Sequence, residues 1–264
     1  AFIISLQTGA GANMRFADPI FSNYKRILAD KVFQQSIVNT FLYLIIQVPI
    51  MLILAILLAQ LLNNKDLKFR GFFRTCVFLP CATSLVSYAL IFRFLFAQDG
   101  FINNALIGLG ILDTGYNFLG NAMSAKFVII IALVWRWTGY NMVFYLAGLQ
   151  NIEYSVYEAA KIDGAGEFRI FYQIMVPIIV PTIAAVCTTQ FVSSWNSYLD
   201  PLIFINKPTL YTLPLVLDNF VSMEATQYGL MMAACCLATV PVFIVFLCGQ
   251  KFFIKGLTVG AVKG

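Results

Sequence analysis

Apolar residues in this chain do not alternate or recur at a helical period between polar ones. They run in long blocks set apart by short polar segments. Five blocks, about 37–62, 72–96, 127–149, 174–192 and 228–247, are each close to or above the roughly 20 apolar helical residues that cross a hydrocarbon core. The opening Ala1-Phe2-Ile3-Ile4-Ser5-Leu6 is too short to span and reads as the last turns of a sixth helix. The prediction is an all-α polytopic membrane protein: a single transmembrane domain over 1–264 with five complete transmembrane helices plus the end of a sixth, N-terminal one. Prolines 49, 80, 177, 181 and 241 fall inside or at the ends of blocks. Membrane helices tolerate them when neighbours re-satisfy the freed carbonyls, so kinks are expected there.

Composition sharpens this. With 60% hydrophobic and 11% charged residues the chain is far from an ordinary soluble domain, which is roughly 45–50% apolar and 25% charged. It has no histidine, which removes His-based acid–base catalysis and His metal ligation. The six cysteines lie in or beside apolar blocks without a C-x-x-C pair and read as small buried hydrophobes, so no metal site is expected. No basic run with interleaved aromatics is present, so the net charge of +5 reflects membrane orientation and not nucleic acid. No cleavable signal peptide is expected at the start of the sequence.

Short loops rich in Lys and Arg stay cytoplasmic. Lys65, Lys68, Arg70 and Arg74 therefore place the loop between the first two blocks inside. Alternation puts 150–173 and the tail with Lys251, Lys255 and Lys263 inside as well. The segments before 37, from 97 to 126 and from 193 to 227 then fall outside, with turn chemistry at Asp99-Gly100 and Asn206-Lys207-Pro208.

The segment 151–173 carries the most specific pattern. Glu158, Ala159 and Ala160 are followed by Gly164, then Ile174 and Pro177. Ser155 and Glu158 fit a capping box for a short helix from Val156 to about Ile162. Asp163 and Gly164 supply a turn with positive φ, and a second helix resumes from Glu167. Pro177 and Pro181 bend the next span where this helix-turn-helix enters it, or serve as ordinary prolines of a first helical turn. Small residues such as Ala159, Ala160 and Gly164 allow close approach of another protein, while Tyr157, Ile162 and Phe168 can fill pockets in it. An interfacial helix resting on lipid headgroups is the competing reading, but it expects Lys and Arg, and this segment is net acidic. Glu158 serves as cap, as interface contact, or as both.

Two clusters are candidates for a solute pathway. Arg136, Trp137, Asn141 and Tyr145 lie in the middle of the third block, with Trp137, Asn141 and Tyr145 at four-residue spacing on one helix face. Aromatic planes around an amide suit a sugar ring; a helix-packing face with Asn141 bonded to a neighbour is the alternative. Trp195 and Asn196 form a second cluster after the fourth block.

The Glu158-to-Pro177 spacing resembles the cytoplasmic coupling loop of ATP-binding-cassette importer permeases, with Val176 where that family has Leu. Asn39-Thr40, Phe78-Leu79-Pro80, the Trp135–Asn141 run and Leu149-Gln150-Asn151-Ile152 are similar to one of the two paired permeases of its sugar and glycerol-phosphate branch. Trp195-Asn196, Tyr211-Thr212-Leu213-Pro214 and the tail 256–264 look like the other.

The resemblance implies a bacterial or archaeal cytoplasmic (inner) membrane location and inward sugar transport by alternating access. It also implies a second permease, related or identical, an extracytoplasmic solute-binding protein, and cytoplasmic ATPase subunits gripping Ser155, Tyr157, Glu158, Ala159, Ala160, Asp163, Gly164 and Pro177. The chain has no G-x-x-x-x-G-K-[ST] loop, so ATP and Mg belong to the partner ATPase, and this chain is expected to bind no cofactor and to be no enzyme. The alternative is a self-sufficient channel or secondary transporter, which calls for intramembrane acids; none lies within the five blocks.

Overall fold

The computed structural model describes residues 1–9, 14–205, 207–223 and 228–261; Asn206 of the expected turn and 262–264 of the expected tail lie outside them. The described chain is helical almost throughout. The exception is a two-stranded antiparallel ribbon of β1 (Gln7–Thr8) and β2 (Arg15–Phe16), which the all-α expectation missed. The opening residues form a helical turn, α1 (Phe2–Ser5), as expected, and α2 (Ser22–Ala29) follows the ribbon.

Among the described residues, three helices are long and apolar enough to cross a membrane. They are α3 (Lys31–Asn63), α7 (Ala122–Gln150) and the Tyr228–Gln250 part of α14 (Tyr228–Ala261). At 1.5 Å per residue the 33 residues of α3 reach about 50 Å, well beyond a hydrocarbon core of about 30 Å. Both α3 and α14 continue as helices through their internal prolines, Pro49 and Pro241.

The second and fourth predicted spans are not single helices. Instead of one span over 72–96, α4 (Arg70–Ala82) and α5 (Leu85–Leu95) are bent by 96° at a short break. Pro80 lies inside the last turn of α4, and the helix stops where Thr83 turns extended (ψ 149°). The Thr83 hydroxyl and amide both turn back to the Pro80 carbonyl, at 2.7 and 3.3 Å.

The fourth span is likewise two pieces. Glu167–Ile178, built of α9 (Glu167–Ile170), a π-helical turn (Phe171–Met175) and α10 (Val176–Ile178), is bent by 71° from α11 (Val180–Trp195). The break is at Ile179, between Pro177 and Pro181, so the expected bend is there and is sharper than a kink. Counting each bent pair as one span gives up to five.

Contacts divide the chain into two units. The first comprises 1–46, 85–131 and 192–245. In it, Asn39 of α3 donates to the carbonyls of Thr209 and Tyr211 at 3.0 Å each. Thr40 Oγ1 accepts the Leu213 amide at 2.8 Å, at the start of α13 (Leu213–Met223). One polar pair on a long apolar helix thus holds a loop far away in sequence. A second anchor joins α5 to α12 (Leu199–Phe204): the fully buried Tyr88 hydroxyl donates to Asp200, and the Tyr88 ring lies 5.6 Å from Phe204. Outside the spans, α6 (Phe101–Gly108) is tied down by buried Asn103, which donates to Ala97 and Tyr116 carbonyls and accepts the Tyr116 amide.

The second unit comprises 47–84, 132–191 and 246–264. Here α7 crosses α4 through Gly139, where an added Cβ would sit 1.9 Å from the Val77 carbonyl oxygen. Small residues at such crossings are the usual means by which membrane helices bring their backbones together. Arg74 reaches back to the Leu62 carbonyl at 2.7 Å, placing a cation at the C-terminal end of α3, where the helix dipole favours it.

Gly139→Val should therefore force α7 off α4, whereas Gly71→Ala, with nothing within 4 Å, should be tolerated. Overpacking of this kind costs about 1–3 kcal/mol or more. The expected outcome is a lower folded yield and a lower melting temperature in detergent for Gly139→Val alone, read by size-exclusion chromatography and a thermal shift.

Candidate functional site

The helix-turn-helix predicted between the third and fourth spans is present, with one correction. Its first helix, α8 (Tyr154–Ile162), begins before Val156; Glu153 occupies the cap position in extended conformation (φ −62°, ψ 138°), and no side chain caps the helix. Ser155 is therefore not the cap, and the Ser155–Glu158 box does not form. Tyr154 is already helical, its ring under the Lys65 ammonium at 4.5 Å and 6.3 Å from the Tyr157 ring. Ser155 thus sits inside the first turn, where it cannot take the extended backbone a cap requires.

The other end of α8 is as expected. Gly164 has φ +76°, its amide bonds the Lys161 carbonyl at 3.0 Å, and the Ala165 amide bonds the Ala160 carbonyl at 3.0 Å. This is the paired-bond helix terminus in which a left-handed residue satisfies two orphan carbonyls. Asp163 is the last residue before the glycine, and the turn delivers the chain to α9. Lys161 and Glu167 face each other across it at 3.5 Å, both well exposed, so the pair adds little stability. Arg169 Nε donates to Gln173 at 2.9 Å one turn further on.

The turn has two sides. Ala160, Ile170 and Met175 are buried and hold the element to its own unit. Glu158, Ala159, Asp163 and Gly164 are exposed, and so is Pro177 at the start of the next span. Ile162 and Phe168, one on each side of the turn, are each 81% exposed, and Tyr172 is exposed as well. Half-buried Tyr157 lies near Asn63 at the end of α3; burial raises its phenol pKa, partly offset by Asn63, and its hydroxyl has no hydrogen-bond partner among the described residues. The arrangement is a rigid backbone turn presenting two large apolar side chains, surrounded by small and acidic residues.

Of the pathway candidates, Arg136, Trp137, Asn141 and Tyr145 all lie on α7 in the second unit. Asn141 is fully buried; its amide donates to the Trp137 carbonyl at 2.9 Å and contacts Met51 Sδ at 3.5 Å, and its Oδ1 has no hydrogen-bond partner among the described residues. Tyr145 is buried, and Trp137 is partly exposed, 5.8 Å from Tyr140. Buried Arg136 donates Nη1 to the Thr83 carbonyl at 3.2 Å, at the α4–α5 break, and its guanidinium lies 5.4 Å from the Trp137 ring. Trp195 and Asn196 belong to the first unit. Trp195 is buried, its indole donating to Ala238 at 3.0 Å with Phe41 edge-on at 5.1 Å, and exposed Asn196 bonds its own helix at Val192.

Sequence reading missed Tyr88 as the partner of Asp200, and Lys65 as the partner of Tyr154. A lone Tyr in an apolar block and a loop lysine carry no signal of whom they meet.

The family model for the binding-protein-dependent transport system inner membrane component matches residues 27–259. The chain belongs to that family. The lactose transport system permease protein LacF of Rhizobium radiobacter is 43% identical over 194 residues, 74% of this chain and 64% of its own length. The arabinooligosaccharides permease AraP of Halalkalibacterium halodurans is 31% identical over 227 residues, 85% of this chain and 71% of its own. AraQ of Bacillus subtilis, also an arabinooligosaccharides permease, is 41% identical over 107 residues, 40% of this chain and 38% of its own. The crystal structure of a bacterial alginate ABC transporter in complex with an alginate pentasaccharide-bound periplasmic protein contains a chain of the same fold. Its TM-score is 0.79 at 24% identity, covering 88% of this chain and 81% of that one.

A β-carbon at the left-handed Gly164 costs roughly 1–2 kcal/mol, while Gly166 has ordinary φ (−67°). Gly164→Val is expected to speed amide exchange of residues 160–165 about tenfold, and Gly166→Ala to leave it unchanged, as read by hydrogen–deuterium exchange.

Proposed function

We propose that this chain is the membrane-spanning permease subunit of an ATP-driven importer, carrying a sugar or oligosaccharide inward across the cytoplasmic membrane. The observation that carries the reading is the α8–α9 turn. A backbone fixed by two bonds at Gly164 displays Ile162 and Phe168 almost fully to solvent on an acidic, cation-poor surface. Apolar side chains held out by rigid backbone are the anchors expected at the centre of a protein interface, and the partner is a cytoplasmic ATPase subunit. ATP and Mg are bound there, and closure of the ATPases pushes the turn and, through α9 and the bend at Ile179, reorients α11.

The lactose and arabinooligosaccharide relatives support a saccharide as the solute, delivered by an extracytoplasmic binding protein and passed along a path shared with a second permease. In that path Asn141 Oδ1, without a partner among the described residues, accepts a sugar hydroxyl, and Trp137 offers a ring for its CH face. Arg136 beside Trp137 is assigned to the wall of that path, and Trp195 and Asn196 of the first unit are assigned a solute contact of their own.

The test is co-purification of the detergent-solubilised chain with the ATPase subunits of its own source. Ile162→Asp, Phe168→Asp and Gly164→Leu should each reduce the ATPase recovered at least tenfold, and Glu158→Lys should weaken it; recovery indifferent to all four overturns the reading. For the path, Asn141→Leu should cut sugar uptake at least tenfold with the ATPase still bound, and unchanged uptake removes Asn141 from it.

A further inference from the structure

Behind the α8–α9 turn the second unit contains a cleft of about 710 Å3, walled by the end of α3, the end of α7, α8 and the start of the next span. Its size is within the roughly 300–1,000 Å3 range of small-ligand sites. Its apolar lining is Leu57, Leu61, Leu149, Ile170 and Met175, the last three of them buried.

The polar wall has a particular chemistry. Four carboxamides, Gln60, Asn63, Asn64 and Gln150, open on the cleft with the Tyr154 and Tyr157 side chains. The buried Gln60 Oε1 has no hydrogen-bond partner among the described residues, so the wall holds an acceptor in need of a donor. Two cations line the wall, Lys65 over the Tyr154 ring and Lys161 in a solvent-exposed pair with Glu167. Asp66 and Glu153 add two acceptor-only carboxylates, neither in an ion pair among the described residues. Three carboxylates (Asp66, Glu153, Glu167) against two lysines leave the wall net negative, which disfavours an anion. A neutral ligand with many hydroxyls and apolar CH faces finds amides and carboxylates for the hydroxyls and leucines and tyrosine rings for the faces.

We propose that this cleft is a second saccharide site, on the side of the coupling turn facing its own unit, separate from the Trp137–Asn141–Tyr145 cluster. It rests on the sugar-importer reading. A sugar seated there touches α3, α7 and α8 at once, holds the turn against displacement and makes uptake fall as sugar accumulates inside.

The experiment uses the purified permease–ATPase complex in nanodiscs without nucleotide or binding protein, with lactose and arabinobiose as probes and saturation-transfer NMR as readout. Expected is binding of at least one probe, weakened at least tenfold by Gln60→Leu and by Leu61→Trp, which fills the cleft, and retained in Asn141→Leu. Binding lost in Asn141→Leu and kept in both cleft variants overturns the proposal, as does no binding of either probe. ATPase content is scored on the same preparation: with ATPase bound and no cleft signal only the second site fails, whereas a chain that recovers no ATPase fails the importer reading itself.

Discussion

Every interruption of a helix in this chain must settle its backbone hydrogen bonds inside the protein, because hydrocarbon offers no water to do it. That constraint organises the second unit. α4 ends where Thr83 turns extended, and Arg136 donates to the Thr83 carbonyl at the break. A guanidinium at a helix centre costs about 2.5–3.5 kcal/mol on insertion scales, so its place beside a freed carbonyl and a Trp ring is where the cost is best offset. Gly139, one turn on, lets α7 lie close enough to α4 for that reach. In the first unit Asn39 and Thr40 do the equivalent for the loop at 209–213.

The α8–α9 turn applies the same rule outside the spans. Its carbonyls are satisfied by the Gly164 terminus, and α8 is fixed from behind by Ala160, the Lys65–Tyr154 contact and Tyr157 beside Asn63. A stiff turn transmits a push; a floppy one absorbs it. The π-helical turn at Phe171–Met175 and the break at Ile179 are the points where such a push can become a change of direction in α11.

Much of this was legible in the residues. Long apolar blocks mark the spans because burial in lipid asks only for length and hydrophobicity, and Asp163-Gly164 marks the turn because few residues accept positive φ. The start of α8 was misread since Ser155 and Glu158 have the spacing of a box, whereas the helix begins where Tyr154 finds Lys65, a contact distant in sequence. The broken spans were foreseen only as kinks, because a proline announces a lost bond but not whether a neighbour such as Arg136 stands ready to stabilise a full break. Asn39 and Tyr211 each carried resemblance separately; their meeting is a tertiary fact with no local trace.

The central claim, that the exposed apolar residues of this turn are held by an ATPase, is tested most directly by placing a photoreactive benzophenone side chain at position 162 or 168 in cells and illuminating them. The account predicts an adduct with the mass of this chain plus one ATPase subunit, lost when the ATPase is deleted. Adducts with lipid alone, or with no ATPase at either position, would contradict it.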